Sequence, residues 1–219
     1  MNCLSISELP LELRSITEAL LPFTQTTIDP QGLPLTAVVD PRTEGLQITL
    51  KADGVHITAQ SRIQFSRALG LAAEALKADR LGTISQVPCY RHLETMVDCA
   101  RNAVPTVESL KRFAAHTALM GYTGLQLYVE DVFELPGYPY FGYMRGAYSK
   151  EELQELDDYC HMLGMELVPC IQTLAHLGRA LKWQCFEEIT DFDDILLADD
   201  PRTYAFIEAM VSTIASMNA

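Results

Sequence analysis

LETMVDCARNAVPTVESLKRF, residues 93–113, decides the fold. Its first eight residues form an apolar run, LETMVDCA. Thr106, following Pro105, stands where a helix N-cap belongs, and the spacing after it predicts a helix from about 106 to 119. Two more apolar runs follow, GLQLYVED at 124–131 and MELVPCIQT at 165–173. Between them Ser149-Lys-Glu-Glu152 reads as a capping box, serine with glutamate three residues on. It opens a helix with Leu153, Leu156, Cys160 and Leu163 on one face, and Gly164 stops it. After the third run, Asp200-Pro201 caps a helix with Tyr204, Ile207, Val211 and Ile214 predicted inward. Strand, helix, strand, helix, strand, helix is the alternation of a parallel sheet. Runs this continuous predict strands buried on both faces.

Toward the N-terminus the rhythm changes. Ser7 is the expected cap of a helix with Leu9, Leu13, Ile16 and Leu20 on its apolar face, ended by Pro22. LTAVVD (35–40) reads as a strand. Leu46, Ile48 and Leu50 alternate with polar residues, as do Val55, Ile57 and Ala59. Lys51-Ala-Asp-Gly54 between them reads as a hairpin turn with glycine at the position that tolerates positive φ. A helix of roughly 62–79 follows, with Phe65, Leu69, Ala72 and Leu76 on one face. This predicts a small sheet covered on one side. The expected fold class is therefore α/β: a small α+β domain over 1–90, then βαβ units over 91–219.

Periodicity alone does not separate a doubly wound sheet from a barrel. The first run is followed by Arg101-Asn-Ala-Val-Pro105 rather than a glycine-rich dinucleotide fingerprint, and no P-loop is present. Polar residues gather where the runs end: Asp98 and Arg101, then Glu130 and Asp131, then Gln172 and His176. Active sites occupy that end of a barrel, and ligands occupy it in open α/β sheets too. A (β/α)8 barrel takes about 250 residues. Three strand–helix units fill 93–219, and the last residues, IASMNA, lie at the end of a helix. A barrel reading thus expects an incomplete barrel, truncated before its fourth strand. Its open edge calls for cover, by the rest of the barrel or by a second copy in a homo-oligomer.

Charge and cysteine usage narrow the function. Lys plus Arg number 16 against 29 Asp plus Glu, a net charge of −13. That balance excludes a phosphate-binding face, so no nucleic acid and no anionic membrane partner is expected. No apolar run is long enough to span a bilayer. MNCLSISELPLELRS lacks a basic start followed by an apolar stretch, so no secretory signal is expected. Six cysteines, none spaced as CxxC, fit reduced thiols in a cytoplasmic protein. No metal site and no cofactor are expected.

Three separated segments then carry a family: MVDCARNAVPTVESLKRF, LQLYVEDVFELPGYPYFGYMRGAYSKEELQELDDYC and GMELVPCIQTLAHLGRAL. Together, from His92 to Met217, they resemble glycoside hydrolase family 20, the β-N-acetylhexosaminidases, in its compact bacterial branch. The resemblance implies a small α+β domain followed by the first three βα units of a (β/α)8 TIM barrel. It implies exo-acting removal of terminal N-acetylglucosamine or N-acetylgalactosamine by substrate-assisted retaining catalysis. In that scheme the 2-acetamido oxygen attacks the anomeric carbon while an Asp–Glu pair orients it and protonates the leaving oxygen. The family places that pair after the fourth strand, so no catalytic residue is assigned here; it is expected beyond Ala219, and the chain alone is expected to be inactive. Arg101 matches the family's sugar-gripping arginine, whose rigid fork suits adjacent hydroxyls. Asp131, with Glu130 beside it, fits the acidic position after the second strand. Pro169-Cys-Ile-Gln-Thr-Leu-Ala-His176 matches the third strand's proline-led stretch ending in histidine, although Gln172 stands where many relatives carry an acid.

Plainer roles stand beside these. Arg101 also suits a structural ion pair, Glu130 and Asp131 a solvated loop, and His176 a buried hydrogen-bonded position. Asp98 reads as structural within a barrel interior. Trp183, the only tryptophan, reads as core. The loop PGYPYFGYMRGAYS (136–149) is long for a βα connection, and its aromatics either line a sugar subsite or cover the barrel mouth. Asp191-Phe-Asp-Asp194 reads as a solvated loop rather than a metal site. A non-catalytic carbohydrate-binding or assembly fragment, and an unrelated barrel enzyme, remain open readings.

Overall fold

The computed structural model describes residues 3–101 and 103–216. The outer ends assigned to the two domains, Met1 and Ala219, lie outside the described residues, as does Met217, where the family resemblance ends. The described elements run β1 (Cys3–Ser5), α1 (Leu11–Leu20), β2 (Thr27–Ile28), β3 (Leu33–Val39), β4 (Leu46–Lys51), β5 (Gly54–Ala59), α2 (Arg62–Lys77) and β6 (Gly82–Gln86). They continue as β7 (Glu94–Asp98), α3 (Val107–Met120), β8 (Gly124–Tyr128), α4 (Lys150–Leu163), β9 (Glu166–Cys170), α5 (Gly178–Leu181), β10 (Thr190–Phe192), β11 (Ile195–Leu196) and α6 (Pro201–Ala215). Two compact units interleave along the chain. One holds Met1–Thr95, Lys111–Leu125 and Tyr159–Glu166; the other holds Met96–Leu110, Gln126–Asp158 and Leu167–Ala219.

The first unit is built on a six-stranded mixed sheet in the order β2-β1-β3-β5-β4-β6. Leu46, Ile48 and Leu50 of β4 and Val55, Ile57 and Ala59 of β5 are buried, as their alternation predicts. Helix α2 packs on β4 and β5, and α1 on α2. Ser61 caps α2 by accepting from the Gln64 backbone N–H at 3.4 Å. Details of the predicted elements need correction. Ser7 does not cap α1, which begins at Leu11 behind Pro10 with no side-chain cap. Pro22 does not end it abruptly, because a 3₁₀ turn over Leu21–Phe23 carries the proline at its start, where a missing N–H costs nothing. Gly54 does not take positive φ. It pairs with Lys51 inside the ladder, and a Cβ there would stand 3.2 Å from the Pro34 carbonyl oxygen, so close approach explains the glycine. On α2, Ala75 completes the buried face in place of Leu76.

Strands β7, β8 and β9 form a second sheet in sequence order. Thr123 N–H donates to Leu93 O at 2.7 Å and Cys99 N–H to Tyr128 O at 3.0 Å. These bonds join start to start and end to end, so β7 and β8 are parallel. Glu166 N–H to Thr123 O at 2.9 Å and Val129 N–H to Cys170 O at 3.1 Å make β8 and β9 parallel likewise. Helices α3 and α4 supply the crossovers such a sheet needs. The middle strand β8 buries Leu125 and Leu127, whereas Met96 of β7 is exposed. Burial on both faces therefore fails for β7, an edge strand of this sheet.

The capping box is present in full. Glu152 N–H donates to Ser149 Oγ at 3.2 Å and Ser149 N–H to Glu152 Oε2 at 2.9 Å. Ser149→Ala is expected to cost about 1 kcal/mol, read as a lower urea midpoint at unchanged m-value. The connection after β9 is longer than expected: α5, a 3₁₀ stretch over Gln184–Ile189 and the β10–β11 hairpin all precede α6. Helix α6 begins at Asp200-Pro201 as predicted, with Asp200 accepting from Arg202 N–H at 2.8 Å. Its inward face is different. Thr203, Phe206, Met210 and Ile214 are buried, while Tyr204 and Val211 are exposed.

Candidate active site

The end of β7 turns on Asp98. Its Oδ1 accepts from Ala100 N–H at 3.0 Å and Arg101 N–H at 3.2 Å, an Asx turn that fixes the Arg101 backbone. The same carboxylate holds the Arg101 guanidinium, with Nη1 3.4 Å from Oδ2. Arg101 Nη2 donates to the Tyr128 hydroxyl at 3.3 Å, and the guanidinium carbon lies 4.9 Å from the Tyr128 ring centre. The Arg101 side chain is still 65% exposed. It is tethered from behind with donors left for a ligand. Asp98, expected to be structural inside a barrel, is exposed and positions Arg101. Tyr128 went unread because it closes an apolar run whose tyrosine looks like packing.

Tyr128 joins Arg101 to the next strand end. Burial first, and then the hydrogen-bonding carboxylate of Glu130, push its hydroxyl above the ordinary tyrosine range, with Arg101 pulling the other way. Glu130 itself is buried and has φ of 37°, a left-handed conformation rare for a residue with a Cβ. It lies in a tight turn closed by Val132 N–H to Val129 O at 2.7 Å. The solvated-loop reading of Glu130 and Asp131 is therefore wrong: both are buried.

The Asp131 side chain is 2% exposed. Burial raises its carboxyl above the usual carboxylate range, and Arg145 is the strongest opposing influence. Arg145 Nη2 stands 3.2 Å from Asp131 Oδ1 and also donates to the Ala100 carbonyl. One arginine thus ties the end of β7 to the end of β8. Beyond that ion pair, neither Asp131 oxygen has a hydrogen-bond partner among the described residues. Gly142 permits the arrangement, having φ of 67° and a position where a Cβ would stand 2.4 Å from the Asp131 carbonyl oxygen. Arg145 was missed in the sequence; its only signal is a cation between glycines in an aromatic loop.

His176 stands on the loop after β9 with φ of 61°. It is exposed rather than buried, and its Nδ1 lies 3.6 Å from Asp194 Oδ2. Leu177 N–H to Asp194 O at 3.1 Å and Leu196 N–H to Leu174 O at 2.9 Å lace the hairpin to this stretch. Asp194, read as part of a solvated run, is thus the partner of His176. The structure brings Arg101, Glu130 and Asp131 into one connected network. Among the described residues, the contacts of His176 run to Asp194 and not to that network. Trp183 is not core: it is half-buried, 5.5 Å from Tyr140 and 5.3 Å from Tyr143 between ring centres. Chemically, the network offers an exposed guanidinium fork linked through Tyr128 to a buried pair of carboxylates.

No family model matches the chain. The chain is similar to a β-hexosaminidase of Akkermansia muciniphila, 28% identical over 161 residues, which is 61% of this chain and 32% of that protein. It is also similar to human hexosaminidase D, 26% identical over 126 residues, 54% of this chain and 25% of that protein. The chain thus spans a third or less of these curated relatives. Its fold matches the Vibrio harveyi GH20 exo-β-N-acetylglucosaminidase solved with N-acetylglucosamine, at TM-score 0.76 and 18% identity, over 99% of this chain and 41% of that one. It likewise matches the Streptomyces plicatus β-hexosaminidase solved with its GlcNAc product, at TM-score 0.75 and 20% identity, over 99% and 52%. The α/β architecture with several βα units is shared with these structures, and the resemblance read from the sequence is borne out.

Proposed function

We propose that this chain, resembling the family 20 β-N-acetylhexosaminidases, supplies one part of an exo-acting enzyme that removes terminal N-acetylglucosamine or N-acetylgalactosamine. In this reading 1–90 is the small α+β domain and 91–219 the opening βα units of the barrel. Arg101 carries the proposal. A charged fork held by Asp98 and Tyr128, with its side chain still 65% exposed, keeps donors free for two neighbouring sugar hydroxyls. Glu130 acts on the Tyr128 hydroxyl that Arg101 also contacts, and Asp131, buried against Arg145, supports the site without reaching solvent. The reaction itself needs an Asp–Glu pair at the acetamido group and leaving oxygen, and none of these residues is given that work. The chain alone therefore binds the sugar and does not turn it over.

The test is a titration with N-acetylglucosamine followed by ¹H–¹⁵N NMR. Shifts are expected at 98–101, 128–131 and 145, and Arg101→Ala should weaken binding about tenfold or more, as loss of a charge-assisted hydrogen bond does. Unchanged binding by that variant would remove Arg101 from the site. Turnover of a chromogenic N-acetylglucosaminide by the chain would show that a catalytic acid lies within it.

A further inference from the structure

The turn that carries Arg101 runs from the end of β7 at Asp98 to the start of α3 at Val107, and its described residues lie in neither helix nor strand. Two side chains of the 136–149 loop reach across to it, one on each side of Arg101. Arg145 Nη2 donates to the carbonyl of Ala100, the residue just before Arg101. On the far side, the Tyr148 hydroxyl donates to the carbonyl of Pro105 at 2.6 Å. Both donors are themselves fixed. Tyr148 is 3% exposed; its N–H donates to Val132 O at 3.0 Å, and its carbonyl accepts from Glu134 N–H at 2.9 Å. Arg145 is paired with Asp131. The Tyr148 hydroxyl also meets the buried thiol of Cys99. Burial pushes that thiol above its ordinary range, which keeps it protonated and unreactive while the turn is in place.

Asp98 and Tyr128 orient the Arg101 guanidinium, but they do not hold the chain beyond it. A turn outside helix and strand depends on side-chain bonds of this kind, each shifting the balance between held and released states by about fivefold. A ligand that needs Arg101 in place binds only the held turn, so its apparent affinity falls with the held fraction. By the same linkage, a bound ligand keeps the turn held. We propose that Arg145 and Tyr148 are positioning residues that clasp the turn on both sides of Arg101 and keep its guanidinium where a sugar can meet it. The consequence for the sugar rests on the function proposed above; the clasp itself does not.

Cys99 serves as the sensor. Trypsin releases it as the sole cysteine of the peptide His92–Arg101, so mass spectrometry after a timed pulse of N-ethylmaleimide reads how often the turn is released. Tyr148→Phe removes the hydroxyl and keeps the ring. Arg145→Lys keeps a cation opposite Asp131 without the guanidinium fork. Each should speed Cys99 alkylation about fivefold, and the two together about twentyfold. Cys160, equally buried, should keep its rate, which separates release of the turn from global unfolding. The double variant should bind N-acetylglucosamine about fivefold more weakly by NMR. In the parent, the sugar at about ten times its Kd should slow Cys99 alkylation about tenfold, and the same concentration should give Arg101→Ala little protection. Unchanged alkylation in both single variants overturns the clasp. Faster alkylation with unchanged sugar affinity in the double variant, while Arg101→Ala still weakens binding, overturns the positioning role and leaves Arg101 in the site. A parent that binds no sugar overturns the functional reading and the positioning with it, whereas faster alkylation of the variants would still establish the clasp.

Discussion

Arg145→Ala should lower stability by about 3–5 kcal/mol at neutral pH, the usual cost of removing one partner from a buried ion pair. The Arg145 side chain is 17% exposed and that of Asp131 only 2%. Without the guanidinium, the carboxylate loses its strongest compensating charge while its burial remains. The Ala100 carbonyl loses its donor as well. The pH dependence follows from the direction of the Asp131 shift. A carboxyl raised in the folded state favours folding below its unfolded value of about 4 and loses that contribution as pH rises through its folded value. Removing Arg145 raises it further, so the loss is larger and extends to higher pH. The gap between variant and parent should be widest near pH 7 and shrink toward pH 4, to about 1 kcal/mol for the lost carbonyl contact. Asp131→Asn in the Arg145→Ala background should restore most of the neutral-pH loss. Urea unfolding across this range measures all three, and a difference independent of pH would show that Asp131 is not the group left unpaired.

That ion pair marks where the sequence stops being legible. Arg101, Glu130 and Asp131 could be placed because each closes a strand whose apolar run is visible, and strand ends gather by topology. Arg145 comes from a loop seventeen residues past β8, and nothing in MRGAY announces which carboxylate it meets. Asp194 is the same case for His176: a hairpin brings them together, and neither of its strands shows a period long enough to read. Asp98 was read as structural, and the form that role takes, an Asx turn holding Arg101, is set by the backbone after β7 and not by the apolar run. Tyr128 was hidden by its apolar neighbours. Side-chain partners set by loops need coordinates, whereas those set by strand register do not.

The fold itself was read well wherever period and punctuation agree. The β4–β5 hairpin, α2, α3 and α4 all fall where alternation, the helical spacing after residue 62, Thr106 and the 149–152 capping box put them. Short elements escaped. β1 and β2 carry too few residues to show alternation, and β6, mostly exposed, has no apolar face to show, yet they widen the first sheet to six strands. Gly54 was assigned to the right turn for the wrong reason, since close approach to Pro34 and not positive φ demands it.

Helix α6 turns its misread face into an experiment. Its apolar residues permit two stripes about one position apart, 204/207/211/214 and 203/206/210/214, and hydrophobicity alone favours neither. Tertiary packing decides between them. Phe206 is fully buried, with ring centroids 4.9 Å from Tyr138, 5.8 Å from Phe141 and 5.3 Å from Phe186. Among the buried residues of α6 only Phe206 is aromatic. Phe206→Ala should therefore cost about 3–5 kcal/mol, as emptying a well-packed aromatic position does. Val211→Ala and Tyr204→Ala, on the exposed side, should change stability by less than about 1 kcal/mol. The same nest holds the inner half of the loop that carries Arg145, Tyr140 and Tyr143. Phe206→Leu, which keeps most of the volume, should cost less but loosen that loop, seen as faster hydrogen exchange at 138–145 while the amides of α2 stay protected. Equal costs at Phe206 and Val211 would mean that α6 presents the other stripe, and the aromatic loop would then lose the anchor that orients it.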